Sequence, residues 1–179
     1  KAKINDDIYV TGNIGDSFLG LKIIKNNPKI SSKLKKYFIN QFYCPNLPFK
    51  IYKHIHKFAN TSMDISDGLI SDMNKLINNQ KLSFEINVNK IPISKNLEVY
   101  FNKYNKKRNV YLFNGDDYQI LFTAPKKKRS LIKSIGKKMN QKITIIGKIN
   151  NIYKKNLIKL DNKPQNLTSF KGYSHMFWK

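Results

Sequence analysis

Two apolar periods interleave along this chain, and their order restricts the fold more than any other feature. Leu82, Phe84, Ile86 and Val88 fall on every second residue, the spacing of a strand laid against a core. Just upstream, Leu69, Ile70, Met73, Leu76 and Ile77 recur at helical spacing, as do Ile51, Tyr52, Ile55, Phe58 and Ala59. Residues 7–14 alternate, with Ile8, Val10, Gly12 and Ile14 on one side, which predicts a half-buried strand. Gly15-Asp16-Ser17 then caps a helix carrying Phe18, Leu19, Ile23 and Ile24. A Lys-rich helix is expected from about Ser31 to Phe42, ended by Cys44-Pro45-Asn46-Leu47-Pro48. Further elements are a short strand at Thr61–Ile65, a helix near Ser94–Tyr104 and a strand at Tyr118–Thr123. Pro125 opens a basic helix with Leu131, Ile132, Ile135 and Met139 inward. Ile143, Ile145 and Ile149 mark another strand, with a short one around Asn156–Leu160 as its near-hairpin partner. The aromatic tail from Phe170 to Trp178 reads as docked. With neither internal repeat nor low-complexity linker, the pattern predicts one domain over residues 1–179. Its expected class is α+β or α/β, a mixed β-sheet flanked by helices rather than a doubly wound parallel sheet.

Composition narrows the function classes. A hydrophobic fraction of 40% with 12% aromatics excludes a disordered chain. No run of about eighteen apolar residues exists, which removes a transmembrane helix, and Lys1-Ala2-Lys3-Ile4-Asn5-Asp6-Asp7 contains no apolar signal core. Cys44 is the only cysteine, so neither an internal disulfide nor a cysteine zinc site can form. His54 and His56 lie off the apolar stripe without a third ligand at metal spacing and read as surface residues. A cytoplasmic location and no membrane partner are expected. The net charge of +23 has two readings, a nucleic-acid or anionic-membrane surface, or drift in a chain that is also rich in Asn and Ile. Lysines dispersed along the whole length, with short clusters only at 106–108 and 126–129, favour drift over a nucleic-acid partner.

Two acidic turns could carry chemistry. Asp64-Ile65-Ser66-Asp67-Gly68 lies at a strand-to-helix junction. Its paired carboxylates suit magnesium, and the helix end could hold a phosphate through its N–H groups. The alternative is an ordinary helix cap. Asn114-Gly115-Asp116-Asp117-Tyr118 is a second acidic turn, which in isolation is a common turn signal. Glycine-rich phosphate loops of the Walker or Rossmann kind are absent.

Five segments in order resemble the second half of bacterial thiamine-monophosphate kinases: Asp6 to Ser17, Asp64 to Asp72, Gly115 to Thr123, Ile143 to Ile149 and Lys171 to His175. The resemblance implies a carboxy-terminal domain of the AIRS-synthetase (PurM-like) type in an enzyme that moves the γ-phosphate of ATP onto thiamine monophosphate. It implies magnesium at Asp64 and Asp67, nucleotide contact at Ser66, and substrate contacts at Asp116 and Tyr173. No side chain is implied as nucleophile or base. It also implies a missing amino-terminal half that carries further metal and nucleotide groups and forms a homodimer, so the chain is expected to be a fragment, inactive alone. The family's Arg-His-Leu-Arg-Pro-like stretch is replaced by Gln41-Phe42-Tyr43-Cys44-Pro45, its glutamate by Asp116 and the preceding glycine by Asn114. Alternatives are another ATP-dependent AIRS-type synthetase, acting in aminoimidazole ribonucleotide or selenophosphate synthesis, a non-catalytic basic nucleic-acid module, or a purely structural domain.

Overall fold

The structure, a computed structural model, describes residues 1–152, 155–161 and 163–165. In chain order the elements are β1 (Asp7–Thr11), α1 (Asp16–Asn26), α2 (Ser32–Tyr43), α3 (Phe49–Tyr52), β2 (Thr61–Asp64), α4 (Leu69–Leu76) and β3 (Leu82–Asn87). There follow α5 (Lys95–Lys103), α6 (Asn109–Leu112), β4 (Ile120–Ala124), α7 (Arg129–Lys138), β5 (Ile143–Asn151), β6 (Leu157–Leu160) and β7 (Lys163–Gln165). The strands form one mixed sheet in the order β2-β4-β1-β5-β3-β6-β7. Every neighbouring pair is antiparallel except β3 with β6.

β1 lies in the middle of this sheet, and all its residues are buried, not half-buried as alternation predicts. Both of its faces are covered. Ile8 and Val10 join the main core with Leu19 and Ile23 of α1, Phe38 of α2, Met73 of α4 and Phe101 of α5. Tyr9 points to the other side, where Phe122, Ile132 of α7, Ile51 and Phe58 make a second core. Its ring stacks on Phe122 with centroids 4.8 Å apart. Asp7, buried at the start of β1, receives both Nε and a terminal nitrogen of Arg129, at 2.6 and 2.7 Å. That fork pairs the buried charge and ties β1 to the first residue of α7.

Two local expectations change. The stripe from Ile51 to Ala59 is not one helix. α3 is a single turn, and bonds from His54 to Ile51, Lys57 to His54 and Phe58 to Ile55 wind the remainder as a tighter 3-10 turn. Ile51 and Phe58 stay buried, while Tyr52, on the expected stripe, is 74% exposed. The last strands are not a hairpin with β5. β3 already pairs with the free edge of β5, so β6 takes the next position, parallel to β3. Lys159 donates to Glu85 at 2.9 Å, and the Asn156 side chain accepts the Phe84 N–H at 3.1 Å, which holds that register. The aromatic tail lies outside the described residues.

Candidate active site

β2 and β4 are paired, and the two acidic turns continue that ladder beyond the strand ends. Ile65 N–H donates to Gln119 O at 2.8 Å, Tyr118 N–H to Ile65 O at 2.9 Å and Asp116 N–H to Ser66 O at 3.0 Å. The turns are therefore bonded backbone to backbone. Glycine at 115 makes this approach possible, since a Cβ there would lie 1.8 Å from the Ser66 carbonyl oxygen. Gly68 has φ +125, and a Cβ on it would come within 2.2 Å of Phe113 O. Asp116 and Tyr118 hold φ values of 68 and 50, the left-handed region that a tyrosine seldom occupies.

Ser66, Asp67 and Asp116 come together at this junction. Burial raises the Asp116 carboxyl above its ordinary range, and the nearby charge of Asp67 adds to the shift. Asp64 stands exposed at the end of β2, and Ser66 and Asp67 are half-buried. Asp67 is ion-paired with Lys75. Tyr173, the remaining predicted site residue, lies outside the described residues.

The residue that organises the first turn is one to which sequence reasoning assigned no role. Asp72 is fully buried, and its Oδ2 accepts the N–H groups of Ser66, Asp67 and Gly68, each at 3.0 Å. Its Oδ1 takes the Lys75 ammonium at 3.0 Å. These contacts overturn one expectation. Gly68 is the N-cap of α4 and no side chain caps it, so neither Ser66 nor an acidic residue before the helix is a simple cap. The N–H groups of Ser66, Asp67 and Gly68, which lead into α4, are committed to Asp72. A signal was present, because Asp72 interrupts the apolar face of Leu69, Met73 and Leu76 three residues after Leu69. A carboxylate on a buried stripe needs partners.

Asp117 faces away from Asp116, into the body of the domain. It accepts Gly15 N–H at 2.8 Å and Ser17 N–H at 3.4 Å, capping α1, and complete burial raises its carboxyl well above the ordinary range. The expectation that Gly15-Asp16-Ser17 caps this helix itself is corrected: Gly15 is the N-cap and the side-chain acceptor comes from the second acidic turn. Asp16 accepts Tyr37 Oη at 2.9 Å and Ser94 Oγ at 2.8 Å, and burial raises it to about 6. Asp16, Asp117, Gln41, Asn46 and Gln119 help line a pocket of about 290 Å³ beside the junction.

Among the described residues no group of three or more His, Cys, Asp or Glu is placed to cage a metal. Carboxylates are hard oxygen donors of the kind magnesium prefers, and magnesium is usually held by one or two of them with water and substrate phosphates completing the shell. Among the described residues no helix is long and apolar enough to cross a membrane.

No family model matches the chain. Individual relatives do. The thiamine-monophosphate kinase of Aquifex aeolicus (strain VF5) is 39% identical over 128 residues, 71% of this chain and 42% of its own length. That of Buchnera aphidicola subsp. Acyrthosiphon pisum (strain APS) is 37% identical over 175 residues, 97% of this chain and 54% of its own. The structure of AaThiL complexed with AMPPCP and TMP superposes with a TM-score of 0.78 at 32% identity, covering 98% of this chain and 52% of that one. E. coli HypE, a hydrogenase maturation protein, shares the fold alone, with a TM-score of 0.62 at 10% identity over 93% of this chain and 50% of its own. The chain thus spans about half the length of the relatives it matches.

Proposed function

The chain belongs to the thiamine-monophosphate kinase family, and on that premise we propose that it supplies one half of a site where ATP phosphorylates thiamine monophosphate to thiamine diphosphate. The observation that carries this reading is the backbone-to-backbone docking of the two acidic turns, which sets Ser66, Asp67 and Asp116 on one junction. In the transfer, an oxygen of the substrate's phosphate forms a bond to the γ-phosphorus as the bond to ADP breaks. No side-chain nucleophile is needed, and catalysis rests on positioning and on compensating charge.

Asp64 and Asp67 are the proposed magnesium ligands, Ser66 the nucleotide contact, Asp116 a contact to thiamine monophosphate and Tyr173 an aromatic contact at its thiamine end. Magnesium, when bound, neutralises the crowded phosphates. The chain's own groups hold that charge in place: Asp72 fixes the turn and Asp116 faces Asp67 from the neighbouring turn. Because the chain spans about half the length of its relatives, we assign the remaining metal and nucleotide ligands to the other half of a longer, homodimeric protein.

The test is turnover of the full-length protein with ATP, magnesium and thiamine monophosphate. Asp64→Asn and Asp67→Asn should each lower kcat by about two orders of magnitude or more while the melting temperature moves little. Near-native rates in both variants would remove the metal assignment. Failure of the unmodified full-length protein to form thiamine diphosphate would remove the function.

A further inference from the structure

We propose that Asp72 is the positioning residue of this site and that, through Lys75, it holds a resident counter-cation on Asp67 that an incoming divalent ion must displace. The metal half of the proposal rests on the reading of Asp67 given above. The geometry is specific. One buried carboxylate oxygen gathers three consecutive N–H groups, from Ser66 to Gly68, and thereby dictates the path of the backbone that presents Ser66 and Asp67. Its second oxygen anchors Lys75, whose ammonium also reaches the Asp67 carboxylate.

Three further features support a device rather than ordinary capping. Asp72 is fully buried, whereas the side chain of Lys75 is about half exposed, so one partner is fixed and the other can swing away. Lys75 lies one helical turn beyond Asp72 and reaches both carboxylates, so its stem need not change course to release Asp67. Asp116 faces Asp67 from the opposite turn and lacks an ion-pair partner among the described salt bridges, so the junction carries more negative than positive charge even with Lys75 in place. Lys75 compensates Asp67 in the resting state, and a divalent cation compensates both Asp67 and Asp116.

The proposal predicts opposite effects from two neighbouring residues. In the full-length protein, manganese binding is followed by electron paramagnetic resonance, and the component lost in Asp67→Asn defines the site. Asp72→Asn keeps the shape but replaces one acceptor oxygen with an N–H₂ donor, and should weaken manganese at that component about tenfold. Lys75→Met removes the competing ammonium and leaves the three N–H bonds to Asp72 intact, so affinity should rise about three- to tenfold. In turnover, the magnesium concentration for half-maximal rate should move in the same two directions while KM for thiamine monophosphate stays constant, a split that mere loss of folded protein cannot produce. Unchanged or weakened manganese affinity in Lys75→Met would overturn the counter-cation, and that variant carries the test if Asp72→Asn does not fold. Unchanged affinity in a folded Asp72→Asn would overturn the positioning role. If Asp67→Asn loses no manganese component, the metal assignment of Asp67 fails, and with it the counter-cation.

Discussion

Asp116 and Asp117 are adjacent in sequence and serve different structures, because the turn places one against Asp67 and sends the other into the core. If Asp116 contacts the substrate, Asp116→Ala in the full-length protein should raise KM for thiamine monophosphate and leave KM for ATP unchanged. Asp116→Glu should lower the former or leave it similar. Steady-state kinetics with each substrate varied in turn would show this, and equal effects on both constants would leave Asp116 a turn residue. Asp16 makes a prediction about stability. Burial raises its folded carboxyl to about 6 from an unfolded value near 4, so in that interval the folded state holds a proton that the unfolded state lacks. The penalty of burying its charge is therefore complete above pH 6 and vanishes below about pH 4. Relative to Asp16→Asn, the unmodified protein should gain stability as pH falls from 7 to 5, by roughly 1–2 kcal/mol. Denaturant titrations of both proteins at the two pH values would measure it, and a pH-independent difference would place the titrating group elsewhere.

At the scale of elements, periodicity located most strands and helices but could not say what covers them. β1 was expected to be half-buried because Ile8 and Val10 alternate with Asp7 and Tyr9. Yet Tyr9 is stacked on Phe122, and Asp7 is neutralised by Arg129, a partner far away in sequence that no local pattern reveals. The same limit hid Asp72 and Asp117, whose importance lies in which backbone groups they reach. Segments near β2 and α4 were legible as a site only because they resemble a known family; spacing alone favoured a helix cap over a metal ligand. What spacing cannot supply is the docking of turn on turn. Gly115→Ala tests that docking directly. Its methyl group would sit 1.8 Å from Ser66 O, so the turns must part. A loss of about 1–3 kcal/mol of stability is expected, as for overpacking at other tight contacts, together with a fall in kcat larger than the fall in folded fraction. Thermal melts paired with turnover would separate the two effects.

On the scale of the whole molecule, burial sharpens the charge. Asp6, Asp7, Asp16, Asp72 and Asp117 all lie inside, so the surface is more uniformly positive than a net +23 spread evenly would make it. Binding to mixed-sequence nucleic acid should accordingly be sequence-independent and fade between about 50 and 200 mM salt. Retention at higher salt, or preference for one sequence in competition, would revive the nucleic-acid reading. The 179-residue chain alone should form no thiamine diphosphate from ATP, magnesium and thiamine monophosphate, and turnover at enzyme-like rates would show that half of the fold suffices. The ladder that joins the two acidic turns also bears on how the protein acquires its site. Ile65 and Gln119 come from distant stretches of chain, with α4, β3, α5 and α6 between them. Their meeting closes a long loop, whose entropy cost the contacts made on closure must offset. A partly folded chain can form α4, with Asp72 already bound to the turn before it, and still lack Asp116 beside Asp67. The junction thus depends on β2 meeting β4, and α4 with its own turn does not supply it alone.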